Sequence, residues 1–257
     1  MTDTKPPDTD GFYIGWSSKA PDRAAAFTRR IVILLLIVAV AGAVTLAASQ
    51  RTIGVATFEY GKKRSFQGVF WKDPYPHLAI ERPGRGDGYG VSRYPLVEPF
   101  KFGLSPALSV KFDGQRVILQ GKLIYRDGQT IIELLPESLQ GQGPAPRSGE
   151  AVSLGTHTLR GEIVDSKCFL GVMNPGHLKP HRACAIRCIS GGVPPVLLVR
   201  DRDGNALYLL LSGADGRTIN REVLAMVAEP IEITGEVVRH DNLLLLKAEP
   251  AAYRVLR

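Results

Sequence analysis

Val117-Ile-Leu-Gln-Gly121-Lys-Leu-Ile-Tyr-Arg-Asp127-Gly128-Gln-Thr-Ile-Ile-Glu-Leu-Leu135 reads as two strands around a tight turn. Apolar residues, many of them β-branched, recur along both arms, and Asp127-Gly128 suits the positive φ angles of a type I′ turn. Gly121 interrupts the first arm, as a strand glycine does where a barrel bends or bulges. The pattern recurs in Ile231-Glu-Ile-Thr-Gly235-Glu-Val-Val-Arg-His-Asp241-Asn-Leu-Leu-Leu-Leu246. Two other glycine-bearing strands also correspond, Ser65-Phe-Gln-Gly68-Val-Phe and Thr158-Leu-Arg-Gly161-Glu-Ile-Val. Two tandem copies of one small β module are predicted.

Working outward, Phe66 to Ile80 predicts a strand, a break at Pro74 and Pro76, and a second strand; Gly84 to Gly90 predicts a loop. Gly141-Gln-Gly-Pro-Ala-Pro-Arg-Ser-Gly149 has linker composition. The expected division is a first module over 51–140, a linker over 141–150 and a second module over 151–257. The second module lays out as a long bent strand ending near Cys168, then strands at Pro195 to Asp201 and Ala206 to Leu211. A short helix from Asn220 to Val227 comes next, with Asn220 as N-cap, and then the final hairpin. Five strands with a helix before the fourth resemble the OB-fold, a small Greek-key barrel. The fold class expected is mainly β: an N-terminal transmembrane helix followed by two OB-like barrels.

The chemistry-bearing residues lie in an insertion, 168–193, between strands one and two of the second module. All three cysteines of the chain fall here, Cys168, Cys184 and Cys188, together with two of its five histidines, His177 and His181. Thiolate and imidazole are ligands for zinc and copper. Pro180 suits a first helical turn, so a helix over 180–188 would put His181, Cys184 and Cys188 on one stripe, with Cys168 arriving from the strand and His177 one turn earlier. Four of the five could close a tetrahedral site. A disulfide from Cys168 to Cys184 or Cys188, leaving one free thiol, and a redox-active dithiol remain alternatives. Asp165 and Lys167 flank Cys168 and could tune a thiol, but a surface ion pair is the expected role.

Cys184-x-x-x-Cys188 has the spacing of binuclear copper sites in oxidase subunit II and of oxidase copper chaperones. Gly192 stands where the oxidase pattern requires histidine, and the chaperones' thioredoxin-like element order is not present. Motifs for covalent haem, thioredoxin-type redox chemistry, phosphate loops, nucleophile elbows and His-Glu-x-x-His zinc sites are lacking in the sequence. The stretch from Gly161-Glu-Ile-Val-Asp165-Ser-Lys167-Cys168 to Cys184-Ala-Ile-Arg-Cys188-Ile-Ser-Gly-Gly-Val-Pro-Pro195 resembles an uncharacterised bacterial family of single-pass membrane-anchored proteins. That resemblance implies an anchor and a Cys/His-bearing OB-like β domain, and no activity.

Ile31 to Gln50 is twenty residues without a charge. As a helix it would span about 30 Å, the thickness of a bilayer core. The acidic residues upstream, Asp3, Asp8, Asp10 and Asp22, favour an uncleaved signal anchor over a cleaved signal peptide with Ala41-Gly42-Ala43 as processing site. Arg29 and Arg30 abut the helix, so a cytoplasmic N-terminal tail (1–30) and C-terminal domains in the periplasm or outside the cell are expected. The first ten residues predict disorder, and Gly11-Phe-Tyr-Ile-Gly-Trp16 an interfacial aromatic island. The net charge of +7 is dispersed, without the basic and aromatic interleaving of a nucleic-acid site. The expectation is an accessory subunit of a membrane redox complex, more a metal binder than an enzyme, holding copper or zinc through Cys168, His181, Cys184 and Cys188 with His177 in reserve. A disulfide-stapled partner-binding scaffold and a thiol oxidoreductase are the alternatives.

Overall fold

The computed structural model describes residues 20–50, 56–82, 90–146, 149 and 151–256. The expectations for the first ten residues, the aromatic island and most of the Gly84 to Gly90 loop lie outside these. The chain divides into two compact units, Met1–Ile53 and Gly54–Arg257.

The first unit carries α1 (Asp22–Gln50), which starts nine residues earlier than the apolar run predicts. Pro21 caps the entry by accepting from Ala25, Asp22 faces the positive end of the helix dipole, and three alanines extend the helical run. Its apolar stretch has a mean hydropathy of 3.0, long and apolar enough to cross a membrane, though a signal sequence would pass the same test.

The second unit is two five-stranded closed barrels. Strands β1 (Ala56–Phe58), β2 (Arg64–Trp71), β3 (His77–Glu81) and β4 (Val91–Val97) are followed by α2 (Pro106–Phe112), β5 (Gln115–Arg126), β6 (Gln129–Leu134) and β7 (Gln140–Pro144). The first barrel runs β2-β3-β4-β6-β5 and back to β2, with β4 and β6 parallel. Then come β8 (Val152–Asp165), α3 (Leu178–Ser190), β9 (Pro195–Arg200), β10 (Ala206–Ser212), β11 (Pro230–His240), β12 (Leu243–Lys247) and β13 (Arg254–Val255). The second barrel runs β8-β9-β10-β12-β11 and back to β8, with β10 and β12 parallel. Strand for strand the two orders are the same, so the sequence repeat is a repeat of topology.

The glycines explain the closure. A Cβ on Gly68 would sit 2.4 Å from the Ala79 carbonyl oxygen, and one on Gly161 2.3 Å from that of Leu198. These are the same position in the first strand of each barrel. Gly121 and Gly235 occupy the same role in the two fourth strands, with Cβ positions 2.5 Å from Ile132 Cγ2 and from the Lys247 carbonyl oxygen. Only glycine lets neighbouring backbones close so tightly. Asp127 (φ 49°) and Gly128 (φ 77°) make the expected turn.

Two expectations are corrected. Asn220 to Val227 is not an α-helix: turns lead to a single 3₁₀ turn, Leu224–Met226. Asn220 does not cap it, because its side-chain amide donates to the carbonyls of Ile189 and Val193, both at 2.9 Å, where α3 ends. The stretch of linker composition begins as structure, because β7 pairs with β5.

Each barrel has its own core, around Phe70, Leu119 and Ile132 in the first and Leu197, Leu209 and Ile233 in the second. A third apolar cluster joins them, in which Val97, Ile124 and Ile131 meet Phe169, Leu170, Val196 and Leu243. Polar groups add specificity to this joint. Tyr75 Oη donates to the Leu211 carbonyl at 3.0 Å, Tyr208 Oη to Asp127 at 2.7 Å, and buried Arg93 pairs with Asp241 at 2.7 Å. The cysteines lie at this joint.

Candidate metal centre

The insertion between β8 and β9 folds as two short pieces. Cys168–Val172 is a wide helical turn closed by the Met173 N–H on the Cys168 carbonyl at 3.0 Å. Helix α3 is longer than the expected 180–188, with Pro180 still in its first turn. It stops at Gly191-Gly192, where Gly192 adopts φ 98° and the N–H of Gly191 returns to the carbonyls of Arg187 and Cys188.

This geometry brings all three sulfurs together. Cys168 Sγ lies 3.9 Å from Cys184 Sγ and 3.7 Å from Cys188 Sγ, and all three cysteines are free thiols. Two sulfurs on one tetrahedral zinc ion, each at about 2.3 Å, are about 3.8 Å apart. The spacing fits a shared ion, and the three form a candidate metal-binding group. Cys168 and Cys188 are buried and Cys184 half-buried.

His181 stands within ligand range of Cys168 and Asp165, a second candidate group. Its Nε2 pairs with Asp165 Oδ2 at 2.9 Å, which leaves Nδ1 as its other ring nitrogen. The other oxygen of that fully buried carboxylate accepts from the Cys168 N–H at 2.7 Å. Asp165 thus braces both His181 and the Cys168 backbone, as an outer-shell carboxylate does for the ligands of a metal site. His177 belongs to neither group. It stacks edge-on with Phe169 at 5.8 Å between ring centres and lies 3.9 Å from Glu162.

The first barrel supplies what the spacing of cysteines does not announce. Lys101 Nζ donates to Cys184 Sγ at 2.7 Å and lies 3.9 Å from Cys188 Sγ. Its loop, between β4 and α2, is clasped to the end of α3. Gly103 donates to the Gly191 carbonyl at 3.0 Å, and a Cβ on Gly103 would lie 2.1 Å from the Gly192 oxygen. Lys167 holds the same loop from below, donating to the carbonyls of Glu98 and Phe100, both at 2.7 Å, and pairing with Glu133 at 2.7 Å. Lys167 and Asp165 are therefore not a surface pair: each is buried and has a separate partner.

The electrostatics arise from these contacts. Cys168 is pushed well above the ordinary thiol value by its hydrogen bond with Cys188, by burial, and by the nearby Asp165. Cys188 is lowered by that hydrogen bond, with Lys101 adding to the effect. Lys101 is held above the usual lysine value by its bond to Cys184.

Comparison with family models, with curated proteins and with solved structures gives no match.

Proposed function

We propose that the protein is a membrane-anchored accessory subunit of a membrane redox complex, and that its inter-barrel site holds one transition-metal ion through Cys168, Cys184 and Cys188. The convergence of the three sulfurs carries the metal part of this reading, with spacings of 3.7 and 3.9 Å. Zinc is favoured over copper(I) on charge. Three thiolates, a divalent ion and the Lys101 ammonium sum to zero, whereas a monovalent ion leaves a net negative charge in a half-buried site, which is costly. His181 acts through Asp165 in this account, and His177 has no part in it. The anchor is α1, with the N-terminus in the cytoplasm and the barrels in the periplasm or outside the cell. Membership of the bacterial family that 161–195 resembles belongs to the same proposal.

The direct contact of Lys101 with Cys184 favours one second reading, a thiol-exchange centre in which Cys184 is the outer thiol and Cys168 and Cys188 the inner pair. A titration separates the two. Chelator-treated protein in detergent is titrated with zinc against a competing dye, in parent, Cys184→Ser and Cys188→Ser forms. The metal reading predicts one tight equivalent in the parent and its loss in both variants. Reversible oxidation of the thiols in the parent, with no zinc uptake, is the result for an exchange centre.

A further inference from the structure

Cys168 and Cys184 form part of the floor of an open cleft of about 610 Å³, a size suited to a small organic ligand. Its walls are apolar and left in water: Phe100 is 83% exposed, Phe102 52% and Met173 46%. Phe100 is also held at φ 64°, a left-handed conformation that a bulky residue rarely adopts. The Phe100 carbonyl accepts from Lys167 Nζ at 2.7 Å, so the loop is fixed with its aromatic ring in water. Lys101 and Arg187 edge the same cleft. Arg187 is exposed, and among the described residues no carboxylate pairs with either cation.

The donor set matches this. Among the described residues no fourth His, Cys, Asp or Glu groups with all three sulfurs, while His181 and Asp165 group with Cys168. Structural zinc sites close four protein ligands around the ion, whereas sites that bind exogenous molecules keep three and leave one position open.

We infer that the open position takes an exogenous thiolate with an apolar substituent, the substituent lying against Phe100 and Phe102 and the added negative charge being met by Arg187. This rests on the metal reading above. A thiolate suits an ion already held by sulfur. Binding leaves oxidation states unchanged: the incoming thiol gives its proton to buffer, and its sulfur gives a lone pair to the metal.

The test uses the full chain in detergent, loaded with cobalt(II) as a spectroscopic substitute for zinc. Step one reads sulfur-to-cobalt charge transfer at one equivalent, which is the metal reading alone. Step two adds benzenethiolate. The charge-transfer band is expected to grow by about a third while the visible bands stay tetrahedral, and benzenethiolate should bind at least about tenfold tighter than 2-mercaptoethanol. Phe100→Ser and Arg187→Gln should each weaken benzenethiolate about tenfold and leave cobalt uptake unchanged. Normal cobalt uptake with a spectrum that benzenethiolate does not alter overturns this inference and spares the metal reading. Stripping of cobalt by the thiolate overturns it too. Absence of charge transfer in step one overturns both.

Discussion

Replacing Gly103 by alanine tests whether the candidate centre is built by both barrels. The new Cβ would stand 2.1 Å from the Gly192 carbonyl oxygen and 2.4 Å from its carbon. Ordinary contact begins near 3.5 Å, so one backbone must retreat by roughly 1 Å or more. Neither is free to do so. The Gly103 N–H is bonded to Gly191, and Lys167 holds the carbonyls of Glu98 and Phe100 on the same loop. Overpacking of this kind costs about 1–3 kcal/mol, or about 2–12 °C in Tm for a unit of this size. Lys101 moves with the loop and loses its 2.7 Å bond to Cys184. A hydrogen bond to a charged group is worth about 1.5–3 kcal/mol, so zinc should bind at least about tenfold more weakly. The assays are thermal melting and competition against a zinc dye. Gly90→Ala serves as control, because a Cβ there meets nothing within 4 Å. Gly103→Ala melting with the parent would refute the packing argument. A lower Tm with unchanged zinc affinity would refute the role given to Lys101.

Further predictions concern buried charge and pH. Lys167→Met should lower stability by about 2–3 kcal/mol in denaturant titrations, because it takes one of two cations from Glu133, leaving Lys122 at 3.1 Å, and frees two loop carbonyls; a loss under 1 kcal/mol would count against that role. His77 is fully buried, and burial lowers its pKa to about 4 from an ordinary 6.5. The unfolded chain therefore takes up a proton that the folded chain refuses. Stability should be full above pH 6.5 and fall by about 3 kcal/mol as the pH drops to 4, and His77→Gln should flatten that profile. Zinc uptake must displace the proton that Cys168 retains, so affinity should rise with pH by at least about tenfold per unit near neutrality, with matching proton release in calorimetry. A pH-independent affinity would mean that Cys168 is not a ligand.

Much of the architecture is legible in local signals. Gly68, Gly121, Gly161 and Gly235 mark the places where strands close on one another, and Asp127-Gly128 marks a turn that few other pairs can make. The crowding of Cys168, Cys184 and Cys188 into one insertion, with Pro180 at a helix start, foretells that their side chains meet. The partners from the first barrel are not legible. Lys101 and Glu133 reach the insertion through tertiary packing, and neither carries a local pattern. Lys167 reads as a surface residue because lysine is seldom buried without a partner, and its partner lies in the other barrel. Asn220 misleads because the residue that caps a helix start is equally able to satisfy the carbonyls at a helix end. His181 has ligand chemistry in sequence, and the structure groups it with Asp165 and Cys168 beside the three-sulfur group.

The most direct measurement is X-ray absorption at the metal edge on the full chain, purified in detergent with reductant and without chelator, alongside its metal content. The account predicts one zinc per chain with a shell of three protein sulfurs at about 2.3 Å, reduced in Cys188→Ser. Protein that retains no metal under these conditions would contradict it.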